Sequence, residues 1–131
     1  MKTVLHIQVV VDFHQIPFDT EVHQLIRTEF PEVDFFGLDS HSTPQMIGYA
    51  QSLIEQSAQA LIIVDCQSDE APLGKLIRLF NKLNREKPKH VSVISLGRHP
   101  MVEKMVKPLG DQFMQERSMQ QIKSMASAFL A

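Results

Sequence analysis

Short runs of apolar, often β-branched residues alternate along the chain with longer segments whose apolar residues recur at helical spacing. The first run is almost continuously apolar, which is typical of a strand buried on both faces of a parallel sheet. Four later runs predict further strands, the last of them a short edge strand. The predicted strands are Val4–Val11, Val33–Leu38, Ala60–Val64, Val91–Leu96 and Gln112–Gln115.

Capping residues and prolines mark where the five intervening helices begin and end. Thr43 precedes Pro44 and His99 precedes Pro100, and proline is favourable at the first helical position because its missing N–H would have no partner there. The helix that opens at Pro100 is expected to reach Val106. The other helices are predicted to start at Asp19, near Ser68–Pro72 and at Ser118. The third helix is expected to bury Leu73, Leu76, Ile77, Phe80 and Leu83.

Strands that alternate with helices at this spacing form right-handed βαβ units, which build a parallel sheet with helices on both faces. Five such strands in 131 residues fit a three-layer, doubly wound α/β fold with the flavodoxin-like strand order 2-1-3-4-5. No linker or internal repeat divides the chain, so residues 1–131 are predicted to form a single domain.

The composition fits a folded domain and excludes several other classes. Hydrophobic residues make up 44% of the chain and charged residues 21%, which excludes a disordered tail. Cys66 is the only cysteine, so no intramolecular disulfide can form. No apolar run reaches the roughly 18 residues of a membrane span, and a cytoplasmic location is expected.

Charge is divided unevenly along the chain. Residues 1–74 carry two basic and eleven acidic residues, whereas residues 75–107 carry nine basic and two acidic residues. The predicted third helix places a row of cations opposite its apolar stripe, which is either an ordinary solvated face or a surface for an acidic protein partner. That row is Lys75, Arg78, Lys82 and Arg85. Nucleic acid is not expected as a partner, because the net charge is −2 and no aromatic residue interleaves with the cations on their face of the helix.

A ligand site is expected at the carboxyl ends of the strands, near the switch between strands one and three, where open parallel sheets bind ligands. Asp12 follows the first strand and Asp65 closes the third, and two carboxylates can hold Mg²⁺ together with water. Ser95, at the end of the fourth strand, is a candidate for catalysis beside them. Arg98 and His99 follow that strand and are candidates for binding an anion.

These positions resemble those of a response-regulator receiver domain. Asp65 stands where a receiver carries its phosphate-accepting aspartate, Asp12 where its acidic metal pair lies, and Ser95 where a hydroxyl contacts the phosphoryl group. Two positions depart from the pattern, since no second acid adjoins Asp12 and no Lys-Pro pair follows the fifth strand. The resemblance therefore implies a receiver-like regulatory module without the family's phosphoryl-dependent switching.

Cys66 is also a candidate for catalysis, as a thiolate activated by histidines on neighbouring loops. The alternative is an inert, buried thiol, which is the commoner state of a lone cysteine. The histidines at the same edge form a candidate transition-metal site that lacks any short ligand spacing; its members are His14, His41 and His99, with Asp39. His6 and Gln8, within the first strand, are interpreted as hydrogen-bonded core groups.

Flavin and glycine-cradled nucleotides are not expected as ligands. The loop after the first strand has no Ser/Thr/Gly-rich phosphate-binding sequence, and the five glycines are scattered. Five of the seven methionines lie within residues 100–130, where they either fill the core or form an apolar homodimer interface. They are Met101, Met105, Met114, Met119 and Met125.

Two functions remain open from the sequence. The first is a non-enzymatic, receiver-like regulatory or protein-interaction module. The alternative is a small Mg²⁺-dependent phosphoryl-transfer or hydrolytic enzyme with its site at the ends of strands one and three.

Overall fold

The computed structural model describes residues 2–11, 21–67, 71–116 and 119–130. Five strands in this part of the chain form one parallel sheet in the order β2-β1-β3-β4-β5, which confirms the predicted flavodoxin-like α/β fold. The strands are β1 (Lys2–Val9), β2 (Asp34–Asp39), β3 (Gln59–Cys66), β4 (Val91–Leu96) and β5 (Phe113–Glu116).

Five α-helices and a 3-10 helix over Lys107–Gln112 connect the strands in the described part of the chain. The α-helices are α1 (Glu21–Glu29), α2 (Pro44–Gln56), α3 (Leu76–Glu86), α4 (Pro100–Val106) and α5 (Met119–Leu130). Helices α2, α3 and α4 pack on one face of the sheet, and α1 and α5 pack on the other. No helix in the described residues is long and apolar enough to cross a membrane.

The two faces of the sheet have separate cores because successive strand residues point to opposite sides. In β1, Leu5 and Ile7 face the α2–α4 layer, whereas Val4 faces the α1/α5 layer. The central strands are buried along most of their length, as their apolar runs predict. This alternation decides which polar side chains can meet at the ends of the strands.

The predicted helix starts are confirmed at α2 and α4 and corrected at α3. The Thr43 hydroxyl accepts the Met46 N–H, and His99 holds the corresponding position before α4. Helix α3 begins at Leu76 rather than near Ser68–Pro72, because Gly74 has a φ of 58° and interrupts any helix that would start earlier. Within α3 the buried side chains are Leu76, Leu79, Phe80 and Leu83, and Ile77 lies about 100° around the helix from Leu76. Ile77 is 38% exposed, so the expectation that it is buried is wrong.

Candidate functional site

The carboxyl ends of β3 and β4 do not bring Asp65 and Ser95 together. Asp65 lies opposite Leu96 in the sheet register, and Ser95 lies opposite Val64. Since neighbours along a strand point to opposite faces, Asp65 faces the α1/α5 layer and Ser95 faces the α2–α4 layer. The two groups that a receiver-like site would combine are therefore separated by the sheet itself.

Asp65 is instead paired with a histidine of the central strand. The His6 Nε2 atom lies 3.5 Å from Asp65 Oδ2, and the His6 side chain is 3% exposed. The atom makes no hydrogen bond, so the contact brings a buried imidazole close to a half-buried carboxylate without joining them. His6 also lies against Phe35, with 6.1 Å between ring centroids. The expectation that His6 is a hydrogen-bonded core group is thus not met at Nε2.

Gln8 fits the expected core role better. Its Oε1 atom accepts a hydrogen bond of 2.8 Å from the Nε2 atom of Gln67, just beyond the end of β3. This bond joins the ends of β1 and β3 at the switch point, where the sequence predicted a ligand. Asp12 and His14, which the sequence placed there as well, lie outside the described residues.

Cys66 and Ser95 do share a face of the sheet. The Cys66 Sγ and Ser95 Oγ atoms are 3.8 Å apart, and Ser95 is fully buried. Burial raises the pKa of the Cys66 thiol to about 11, although the hydrogen bond with Ser95 acts in the opposite direction. A thiol with this pKa is almost entirely protonated at neutral pH, which favours the inert interpretation.

Arg98 and His99 have different surroundings and do not form one anion site. Arg98 is exposed, and its Nε atom lies 3.7 Å from Glu103 Oε1, which also accepts a hydrogen bond from Gln115. His99 is buried, with Nε2 2.6 Å from the Ala71 carbonyl oxygen. Its Nδ1 accepts the Val102 N–H at 3.4 Å. Both ring nitrogens of His99 are therefore engaged in holding the start of α4 against the loop that precedes α3.

The metal candidates are not gathered into a site in the part of the chain that the structure describes, where no group of three His, Cys, Asp or Glu side chains could hold an ion. The Asp39 carboxylate accepts the backbone N–H of His41 at 2.6 Å, and the Ser42 hydroxyl accepts the Asp39 N–H at 3.0 Å. Through these hydrogen bonds, Asp39 stabilises a tight turn after β2.

Two glycines let the loops at this edge pack backbone against backbone. A Cβ atom on Gly97 would lie 2.7 Å from the Cys66 carbonyl oxygen, and one on Gly74 would overlap the Ser40 carbonyl oxygen. Both glycines have positive φ angles, which side chains disfavour. Ser40 continues the contact, since its hydroxyl donates to the Val10 carbonyl oxygen at 2.8 Å. These contacts join the described loop residues that follow β1, β2, β3 and β4.

An apolar groove that the sequence did not predict lies beside these loops. We call it the α3–α4 groove; residues 71–74, Ile77 and residues 99–101 line about 430 Å³. Ile77 is 38% exposed and Met101 is 47% exposed, although both are large apolar side chains. Exposed apolar side chains that share one groove are typical of an interaction surface.

Basic residues adjoin the groove residues along the chain. Lys75 and Arg78 follow Gly74 and Ile77 directly, and Lys104 follows Met101 by three residues. Among the residues that the structure describes, Lys75, Arg78 and Lys104 make no ion pair. Lys82 differs, because it donates to Glu55 of α2 at 2.5 Å, and this bond raises the pKa of Lys82. Within the described residues, the predicted basic face is therefore unpaired at Lys75 and Arg78 and paired with α2 at Lys82.

The methionine-rich segment is mostly core. Met105 packs on the α2–α4 core, and Met114 and Met125 pack on the α1/α5 core. Met101 is the exposed one among these four, while the Met119 side chain lies outside the described residues. A homodimer through residues 100–130 remains a prediction, with Met101 as its best contact.

A second pocket, of about 510 Å³, lies at the opposite edge of the sheet, between Phe30–Val33 and Leu130. Lys2 crosses it and donates a hydrogen bond to the Leu130 carbonyl oxygen. This edge carries the amino ends of the strands, which seldom form ligand sites in doubly wound folds. The α3–α4 groove is therefore the stronger candidate.

Comparisons with protein-family models, with curated proteins and with solved structures found no match.

Proposed function

We propose that this protein is a non-enzymatic interaction module that binds an acidic, apolar segment of another protein in the α3–α4 groove. One observation carries the proposal: Ile77 and Met101 expose apolar surface in a groove whose neighbouring cations have no partner within the described chain. An apolar side chain in the groove gains burial, and carboxylates beside it gain the attraction of Arg78 and Lys104. A cytoplasmic setting is part of the proposal.

The reactive groups at the strand ends support this choice. Asp65 and Ser95 face opposite layers, the Cys66 thiol has a raised pKa, and His99 is committed to two backbone partners. The receiver-like regulatory role is compatible with binding of this kind and belongs to the same proposal. In that role, the groove would be the output surface and Asp65 would not need to accept a phosphoryl group.

A synthetic peptide tests the proposal directly. The peptide carries leucine and phenylalanine at helical spacing with glutamate at the remaining positions, and its control replaces every glutamate with lysine. In backbone NMR titrations, we expect the acidic peptide to shift residues 71–78 and 98–104, and the lysine peptide to shift none of them. Binding should weaken with Met101→Ser and persist with Thr28→Ser on α1. Equal binding of both peptides, or no binding at millimolar concentration, would contradict the proposal.

The Mg²⁺-dependent alternative depends on Asp12, which lies outside the described residues. The same NMR method separates the two functions, because a metal site would respond to Mg²⁺ at Asp65 and at neighbouring strand ends. Localised shifts there, without any response to the acidic peptide, would favour the enzyme.

A further inference from the structure

A second exposed apolar surface lies at the β2 edge of the sheet, away from the groove. We call it the edge patch: Tyr49 is 56% exposed and Met46 is 38% exposed on α2, and half-buried Phe36 on β2 completes it. The rings of Tyr49 and Phe36 meet edge to face, with 5.0 Å between centroids. This contact holds Tyr49 in place, which lowers the entropy cost of burying it in an interface.

The surroundings of the edge patch are acidic. Helix α2 and strand β2 contain no lysine or arginine, and they carry Asp34, Asp39 and Glu55, of which Glu55 is paired with Lys82 of α3. The strand order explains why the acidic residues of the first half of the chain lie in one region. Strands β2, β1 and β3 are neighbours, so the first half of the chain forms one half of the sheet. Residues 21–66 contain seven acidic residues and one residue that is lysine or arginine, Arg27.

The edge patch therefore has the chemistry that the α3–α4 groove requires of an occupant. It offers a rigid aromatic side chain and a flexible methionine, and its neighbouring charges have the sign opposite to Lys75, Arg78 and Lys104. The two surfaces lie on different parts of one molecule, α2 with β2 and α3 with α4. A second copy can bring its edge patch to the groove of the first.

We propose that the edge patch of one copy occupies the α3–α4 groove of a second copy, so that the protein associates head to tail. This inference rests on the proposed function, since it names the partner of that groove as the chain itself. A contact between two different surfaces leaves one of each free at the ends, so the assembly grows into a ring or an open filament. Its small apolar core suggests an interface near the low end of about 1,200 Å² and weak affinity.

Complementation between two variants tests this geometry. Tyr49→Arg places a cation in the edge patch and leaves the groove intact, whereas Met101→Glu places an acid in the groove and leaves the patch intact. Both side chains are exposed, so each variant should fold. By sedimentation at about 100 µM, a concentration suited to a weak interface, we expect the wild type to associate and each variant alone to be monomeric. An equimolar mixture should recover association, because the intact patch of Met101→Glu can enter the intact groove of Tyr49→Arg.

Controls make every outcome decisive. Thr28→Arg adds the same charge on α1, outside both surfaces, and should associate as the wild type does. A symmetric interface would give no recovery in the mixture and would overturn head-to-tail association, as would a wild type that stays monomeric. If the wild type is monomeric but the acidic peptide still binds the groove, this inference fails while the proposed function stands. If neither occurs, both fail.

Discussion

Replacement of His99 is the sharpest test of how α4 packs against the loop that precedes α3. His99 is buried, and its ring joins the Ala71 carbonyl oxygen to the Val102 N–H at the start of α4. These bonds require the tautomer in which Nε2 carries the proton and Nδ1 accepts. In His99→Ala, both partners lose their hydrogen bond, and the Ala71 carbonyl, itself on a buried residue, is left without one.

The expected cost follows from these two losses. Removal of an N-cap costs about 1 kcal/mol. A buried carbonyl left unpaired adds about 1–3 kcal/mol. The variant should therefore lose about 2–4 kcal/mol of unfolding free energy, which for a domain of this size lowers Tm by roughly 8–16 °C. His99→Asn keeps a capping side chain but cannot reach Ala71, so it should recover only the capping part.

Thr43→Ala provides the matched control. The Thr43 hydroxyl caps α2 by accepting the Met46 N–H at 3.3 Å, close to the 3.4 Å of the His99 cap, but Thr43 is exposed. It should lose about 1 kcal/mol. Urea unfolding followed by circular dichroism measures all three variants. If His99→Ala costs no more than Thr43→Ala, the buried bond to Ala71 is not stabilising and the reasoning is refuted. A gain in stability from phosphate that depends on His99 would restore the anion-binding hypothesis.

Three further predictions concern the same edge. Burial raises the pKa of the Cys66 thiol to about 11 from 9.0 in the unfolded chain, so the unfolded thiol ionises first as the pH rises. The free energy of unfolding of the wild type, relative to Cys66→Ala, should therefore fall between pH 9 and pH 11. A constant difference between the two proteins in urea titrations over this range would contradict the prediction. Gly74→Ala or Gly97→Ala should destabilise the fold by more than 1 kcal/mol, whereas Gly48→Ala, an exposed helical position with open space, should stabilise it by up to about 1 kcal/mol in the same assay. Acetyl phosphate with Mg²⁺ should leave Asp65 unmodified in mass spectrometry, and a phosphoryl adduct would revive the receiver mechanism.

The fold could be predicted because its signals are local. The continuous apolar run of β1 indicates a strand covered on both faces, and Thr43 with Pro44 marks a helix start whatever else surrounds it. Alternation of such elements then leaves few topologies, because βαβ connections are right-handed. The strand order needed no knowledge of any contact between distant residues.

The candidate site could not be predicted in the same way because it depends on register and on long-range contacts. A shift of one residue between β3 and β4 would have turned Asp65 and Ser95 to the same face, and the strand sequences do not fix that register. The Ala71 carbonyl that engages His99 lies 28 residues away along the chain. The spacing of Ile77 fits the border of the apolar stripe, but the buried face of α3 carries Leu76, Leu79, Phe80 and Leu83 and leaves Ile77 38% exposed.

The charge asymmetry gains its meaning only from the strand order. In the order β2-β1-β3-β4-β5, the chain fills one side of the sheet before it crosses to the other, so a difference along the sequence becomes a difference across the molecule. Oppositely charged residues that lie in different halves of the sheet form few ion pairs within one copy. Among the described residues, helix α3 forms one ion pair with the acidic half, between Lys82 and Glu55. Lys75, Arg78 and Lys104 make no ion pair with another described residue, and they would attract the acidic partner that we propose. Since exposed charges are screened beyond about 8–10 Å at physiological salt, this attraction would act at short range, on a partner already near the groove.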